Sequence, residues 1–233
     1  MGRMSCPHAC LLAILDYDGT VTEDDCNDIV LTQAVGDAWL ESEQAMQRGE
    51  ITHTEAFRRQ IALLRWPRPQ LTAAAVDAAR LRPGFRAVLE HLVAGGAHVA
   101  VVSVGFRETI QAVWRRESLP PVEVYASELL GDEEQGYRVG FHPLTADCDR
   151  CEKCKAGVLR ALRRPHHTVV VFGDGEGDFC LAREADVVFA RGRLAALCHE
   201  AGIRYLPLDG FDRVMPALHR ALGDVPVAAG SGA

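Results

Sequence analysis

Two aspartates one residue apart, Asp16 and Asp18, follow directly on the apolar run of residues 11–15 and are closed by Gly19 and Thr20. Carboxylates crowded at one turn repel each other unless a cation or a shared proton relieves them. The pair therefore points to Mg²⁺ and to a division of labour between an acid and a base, against the plainer alternative of a solvated Asp-rich turn. Three later positions offer complementary chemistry. Ser103 ends the run VAVVS and is followed by Gly105 and a helix start, where a hydroxyl and backbone N–H groups could hold an anionic oxygen. Lys155 opens a helix after an irregular segment, and Gly173-Asp174 ends the run VVVFG with Asp178 four residues on. Taken singly these are an N-cap, a solvated lysine and a turn residue. Taken in order, each at a strand end or a helix start, they compose one site.

A short continuous apolar run reads as a buried parallel strand, and ligands of open α/β sheets collect beyond the strands' carboxyl ends. From Pro83 onward the chain alternates helix and strand. The pattern predicts a helix over PGFRAVLEHLVAGG, a strand over HVAVVSVGF and a helix over FRETIQAVWRR. A strand at residues 122–126 and a hairpin over 129–141 turned at Gly131 and Gly136 come next. Then follow a helix at 155–163, a strand at 167–172, a helix at 177–183, a strand at 186–190, a helix at 194–201, a strand at 203–207 and a last helix to Leu222. This is the signature of an α/β fold with a doubly wound, mostly parallel sheet. Residues 22–82 are helical in texture, with starts expected at Asp25, Asp37, Thr52 and Thr72 and punctuation at Gly49 and Pro67/Pro69. The expected organisation is a core of residues 1–21 and 83–222, a helical lid of 22–82 over the first strand's carboxyl end, and a frayed tail of 223–233.

Composition narrows the function classes. With 233 residues, 48% hydrophobic and 24% charged, the chain can bury a substantial core and is not broadly disordered. A formal net charge of −7 without a basic stripe argues against nucleic acid as partner. No run is long enough to span a bilayer, and residues 1–15 lack a secretory pattern, so a cytoplasmic protein is expected, with no membrane partner. In that compartment the eight cysteines are expected to be reduced, and clustered ones read as metal ligands or redox groups.

The motifs Asp16-Tyr17-Asp18-Gly19-Thr20, Ser103, Lys155 and Gly173-Asp174-Gly175-x-x-Asp178 together resemble all four motifs of the haloacid dehalogenase superfamily of phosphatases. The likeness spans the chain and implies a Rossmann-like core with a C1-type cap inserted after the first strand. It implies that Asp16 is the nucleophile carrying an aspartyl-phosphate and that Asp18 is the general acid and base. It further implies Mg²⁺ held by Asp16, the Asp18 main-chain carbonyl and Asp174 with Asp178 in support, and phosphate held by Ser103, Lys155 and the backbone N–H groups near Asp18 and Gly105. A small phosphorylated metabolite is then the partner, bound by a monomer or homodimer.

Within the superfamily the texture is similar to the phosphoserine-phosphatase-like branch, departing from it at Val104, where glycine is usual, and at Gly177, where asparagine is usual. Asp25 stands about where that branch keeps an acidic residue for the substrate ammonium, and Arg59 on the lid could face the acid pair. The segment HPLTADCDRCEKCK and the carboxyl-terminal region resemble instead the 2-hydroxy-3-keto-5-methylthiopentenyl-1-phosphate phosphatases of methionine salvage. The enol phosphate of that family is thus the first expected substrate and phosphoserine the alternative. Transfer of the phosphoryl group to another acceptor, or binding without catalysis, are the remaining readings. Cys148, Cys151 and Cys154, at two-residue spacings before Lys155, could bind structural Zn²⁺ with His142, Asp147 or Cys180 as fourth ligand; a reduced loop and a Cys151/Cys154 redox pair are the alternatives.

Overall fold

The computed structural model describes residues 10–146, 148 and 153–224. Seven strands form one sheet in the order β4-β3-β2-β1-β5-β6-β7. They are β1 (Leu11–Leu15), β2 (His98–Phe106), β3 (Glu123–Leu130), β4 (Arg138–Gly140), β5 (Thr168–Gly173), β6 (Val187–Ala190) and β7 (Leu206–Pro207). All neighbours pair in parallel except β3 with β4. The chain builds outward from β1 through β2 and β3, then returns to the other side of β1 and builds β5, β6 and β7. The reversal falls between β1 and β5, which is where an open sheet of this kind leaves a crevice at its carboxyl ends.

Side chains alternate across a strand, so a continuously apolar strand must bury both faces. Leu11, Ala13 and Leu15 of β1 join Val99, Val101, Val170 and Phe172 on one face, and Leu12 and Ile14 join Ala100, Val102, Val169 and Val171 on the other. Helices α5 (Phe85–Ala94), α6 (Arg107–Arg116) and α10 (Val214–Asp224) cover the first face, and α7 (Ala156–Leu162) with Leu181 covers the second. The first core is centred on Phe172, stacked on Phe189 with centroids 4.8 Å apart and in contact with Phe211 at 5.7 Å.

Between β1 and α5 lie α1 (Cys26–Val35), a tight turn at Gly36–Trp39, α2 (Leu40–Gln47), α3 (His53–Ala62) and α4 (Arg68–Ala78). Asp25 caps α1 through the N–H groups of Asn27 and Asp28, and Thr52 caps α3 through that of Glu55. Asp37 sits inside the tight turn rather than starting a helix. Thr72 lies within α4, which begins at Arg68: the proline pair punctuates the chain as expected, between α3 and α4, and opens the second helix, because a first turn needs no N–H donor and suits proline's fixed φ. The apolar faces of these helices meet Phe106, Leu129 and Tyr137 around Phe57 and Ile61, which seats the inserted helices near the carboxyl ends of β2 and β3.

Other departures are local. β3 runs on to Leu130 because the hairpin with β4 extends it, turning at Gly131 and Gly136 with φ of 84° and 86°. β7 is only two residues long, and the helix expected at 177–183 is a tight turn at Glu176–Asp178 followed by the short α8 (Phe179–Ala182). The helix expected from Leu194 is α9 (Gly192–Glu200). Truncating Phe172 to alanine should cost about 3–5 kcal/mol of unfolding free energy, the usual loss for a buried aromatic, and a urea titration followed by circular dichroism checks it.

Candidate active site

The loop after β1 is fixed by its own backbone carbonyls. Arg82, buried at 6% exposure, donates to the carbonyls of Gly19, Thr20, Thr22 and Glu23 at 2.7–3.1 Å, and Arg191 adds a bond of 2.8 Å to that of Gly19. A planar guanidinium can hold several acceptors in a fixed fork where a lysine cannot. Gly19 lies at φ of 69°, and a Cβ there would stand 2.4 Å from Asp174 Oδ2, so both the turn and the close approach require glycine. Thr20 closes the contact by donating to Asp174 Oδ1 at 2.9 Å.

This geometry brings the ends of β1 and β5 together. Lys155, 4% exposed, lies 2.6 Å from Asp16 Oδ1 and donates to Asp178 Oδ1 at 2.8 Å. Asp178 Oδ2 accepts from the amides of Asp174 and Gly175, so both of its oxygens are engaged in holding the lysine and the loop. Asp16, Asp174 and Asp178 present oxygens within 4.8 Å of one another. Burial and the neighbouring Asp178 push the Asp16 carboxyl well above its ordinary range despite Lys155, and burial and Asp178 likewise raise Asp174. Burial works against the Lys155 charge, but Asp16 and Asp178 outweigh it and hold the ammonium above its ordinary range. Three carboxylates face one lysine, and the surplus of negative charge on hard oxygen donors fits a small divalent cation such as Mg²⁺.

Asp18 belongs to the lid as much as to the core. Its Oδ1 accepts from the Cys26 amide and its Oδ2 from the Asn27 side chain, each at 2.9 Å, which anchors it at the start of α1. Burial, then the neighbouring Asp25, raise it well above the usual carboxylate range. Such a group can arrive protonated and donate to a leaving oxygen. Ser103 is 6% exposed and accepts from the Gly105 amide at 2.9 Å. That amide, expected to face an anion, orients the hydroxyl instead. A Cβ at Gly105 would lie 2.8 Å from Asp18 Oδ2, so glycine leaves room for the acid.

These groups line a cavity of about 200 Å³ whose far wall is formed by the lid: Asp25, Asn27, Asp28, Glu43, Met46, His53, Ala56, Phe57 and Gln60. The volume admits only a small ligand. Asp25 and Asp28 line this cavity, where burial among the lid helices raises Asp25, and burial, then Asp25 and Glu43, push Asp28 up to about 7. Arg59 is not brought to the site. It pairs with Glu55 at 2.8 Å on an exposed face of α3. Sequence reasoning missed Asn27, Asp28, Glu43, His53 and Gln60. Asn27 and Asp28 were within reach, since Asp25 caps their helix; His53 and Gln60 are seven apart on α3, but no spacing relates them to Glu43 on α2. Of the cysteine segment, Cys148 and Cys154 gather with Cys180, while Cys151 and Asp147 fall outside the described residues. His142 packs edge-on against Tyr125 and lies outside that gathering.

A parallel sheet reversing at β1, with a strand-end aspartate beside a buried lysine and a surplus of carboxylates, defines a hydrolase of the Rossmann-like kind. The sequence matches the haloacid dehalogenase-like hydrolase family over residues 13–183, and the chain belongs to that family. It is similar to a 2-hydroxy-3-keto-5-methylthiopentenyl-1-phosphate phosphatase of an Exiguobacterium species, 27% identical over 85% of this chain and 92% of that one. It is also similar to a polyol phosphate phosphatase of Saccharomyces cerevisiae, 27% identical over 91% and 95% of the two chains. A solved phosphoserine phosphatase, captured as an analogue of its phospho-aspartyl intermediate, shares the fold with a TM-score of 0.63 at 16% identity, covering 89% of this chain and 98% of that one. Among the described residues no helix is long and apolar enough to cross a membrane.

Replacing Arg82 with lysine keeps the charge but loses the fork, leaving buried carbonyls of the 19–23 loop unpaired. The variant should lose about 2 kcal/mol or more of stability in a denaturant titration, and its hydrolytic activity should fall because Asp18 rides on that loop.

Proposed function

We propose that the chain is a Mg²⁺-dependent phosphomonoesterase that releases phosphate from a small phosphorylated metabolite through an aspartyl-phosphate on Asp16. It is a phosphoric monoester hydrolase. The observation that carries this reading is Asp16 itself, a buried carboxylate beyond β1, 2.6 Å from Lys155 and beside Asp174 and Asp178. Tyr17 N–H and Lys155 engage its Oδ1, which leaves Oδ2 to attack phosphorus. As the new P–O bond forms, the ester P–O bond breaks and the leaving oxygen takes the Asp18 proton. Asp18 then removes a proton from the water that hydrolyses the acyl phosphate. Ser103 and Lys155 hold the remaining phosphate oxygens. Asp16, Asp174 and the Asp18 carbonyl would hold Mg²⁺, with Asp178 fixing Lys155 and the loop behind them. The metal would supply the positive charge that lets a dianionic phosphate enter a carboxylate-rich site.

Residues 22–82 act as the cap that selects the rest of the substrate. The enol phosphate of methionine salvage is the leading substrate: it is the compound named for similar proteins, and Met46, Ala56 and Phe57 offer an apolar surface for a methylthio tail. A second reading, phosphoserine or a polyol phosphate, is favoured by Asp25, Asp28 and Glu43, which would meet an ammonium or a row of hydroxyls. The reaction is expected in the cytoplasm and without nucleic-acid or membrane partners.

Asp16→Asn should reduce phosphate release to background while leaving the thermal unfolding midpoint close to wild type; retained turnover would overturn the covalent route. In a release assay comparing the enol phosphate, phosphoserine and polyol phosphates, the enol phosphate should show the highest kcat/KM. Glu43→Gln separates the two readings. It should leave kcat/KM for the enol phosphate within a few-fold, whereas for a substrate carrying an ammonium it should cost about tenfold or more, the worth of a charge-assisted hydrogen bond.

A further inference from the structure

Outside the residues that line the active-site cavity, Cys148, Cys154 and Cys180 bring their sulfurs within 4.8 Å of one another. Cys154 is buried, the other two are half-buried, and the Cys180 thiol hydrogen-bonds to both of the others. Three sulfurs around one zinc ion, at Zn–S of about 2.3 Å and tetrahedral angles, stand about 3.8 Å apart. The observed spread is within a small side-chain adjustment of that figure. The sulfurs also come from two separate stretches of chain, so their meeting is a product of the fold and not of short-range spacing.

The backbone around them is already shaped. Ala146 and Cys154 exchange two main-chain hydrogen bonds at 2.7 and 3.1 Å, closing the intervening loop at its base. A Cβ at Gly157 would run into the Leu144 carbonyl and the Ala146 amide, so the chain at residues 144–146 is pressed onto the first turn of α7. Arg160, paired with Glu184, and Arg183 border the thiols, and positive charge beside a thiolate cluster helps offset it.

We propose that Cys148, Cys154 and Cys180 bind a zinc ion that straps the loop before Lys155 to the helix after Asp178. Each thiol gives its proton to solvent as the metal binds. Cys154 directly precedes Lys155, and Cys180 follows Asp178 by two residues. The strap therefore joins the two backbones that carry the 2.8 Å Lys155–Asp178 ion pair. Zinc has no redox chemistry, and a site whose ligands do not line the cavity is suited to holding structure. The Cys151/Cys154 redox pair is correspondingly disfavoured, because Cys154 is committed to Cys148 and Cys180. The consequence for Lys155 rests on the proposed hydrolytic reading; the metal content does not.

The test is metal analysis of protein purified without chelator or added metal. Mass spectrometry of the metals should find zinc at close to one ion per chain in wild type, retained in Cys10→Ser and lost in Cys180→Ser. Exchange for Co²⁺ should produce a thiolate-to-cobalt charge-transfer band and the visible bands of a tetrahedral site, both absent from Cys180→Ser. Folded wild-type protein that carries no zinc and gives no thiolate–cobalt band overturns the proposal, as does a disulfide found between any two of the three cysteines. Should Cys180→Ser fail to fold, wild-type zinc content and the cobalt spectrum decide the matter alone. A zinc-loaded protein inactive on every phosphomonoester would sink the functional reading and leave the metal site standing.

Discussion

The structure depends on one buried ammonium. Lys155 lies between Asp16 and Asp178 with almost no access to water, and its charge is what allows two carboxylates to remain in that place. Breaking a buried pair by deleting one partner typically costs about 3–5 kcal/mol, because the remaining charge is left uncompensated. The arrangement is still short of positive charge, since Asp174 adds a third carboxylate to the same cluster. That shortfall is functional in character. A site neutral in itself would have no need of a cation, and a site without cations could not admit a phosphate dianion.

Around the lysine, the fold spends its least common local features on the loop that follows β1. A glycine at positive φ, a buried arginine donating to four carbonyls and a threonine reaching Asp174 all serve to hold Asp18 and Asp174 at a fixed offset from Asp16. Such rigidity suits chemistry that consists mostly of positioning. The second aspartate of the pair is held differently. Asp18 is tied to the first turn of α1, so its placement is shared between the sheet and the inserted helices. Proton transfer and substrate enclosure are mechanically linked through that helix start.

The lid contributes a wall of a different character from the floor. Floor groups are buried and paired, whereas Asp25, Asp28, Glu43 and His53 face a solvent-filled cavity from three helices. Burial, and then the crowding of Asp25 and Glu43, push Asp28 up to about 7. A substrate presenting hydroxyl, carbonyl or ammonium groups would relieve that crowding, and the apolar Met46–Phe57 side would take a less polar tail. The cysteine cluster stands outside that cavity, with Cys154 next to Lys155 in the chain. The two features act on different ends of the same segment.

How much of this was legible in the chain itself follows from how local each determinant is. Apolar runs that must bury both faces, the acid pair after the first of them, and Ser103, Lys155 and Asp174 at later strand or helix ends identified the sheet, its hydrolytic family and the groups on its rim. Periodicity and capping are encoded within a few residues of where they act. Failures were of two sorts. Thr72 was read as a helix start although α4 begins at Arg68 behind Pro67, and Arg59 was assigned to the site although its helix turns it to solvent beside Glu55. The wall of Glu43, His53 and Gln60 arises from elements far apart in sequence, as does the choice of Cys180 over His142 among the candidate partners of Cys148 and Cys154. Their meeting is decided by how helices pack on the sheet. The sequence by itself therefore determined which chemistry the strand ends carry, while only the tertiary structure decided which side chains face that chemistry across the cavity and which sulfurs gather outside it, because packing angles between distant elements are not written in local spacing.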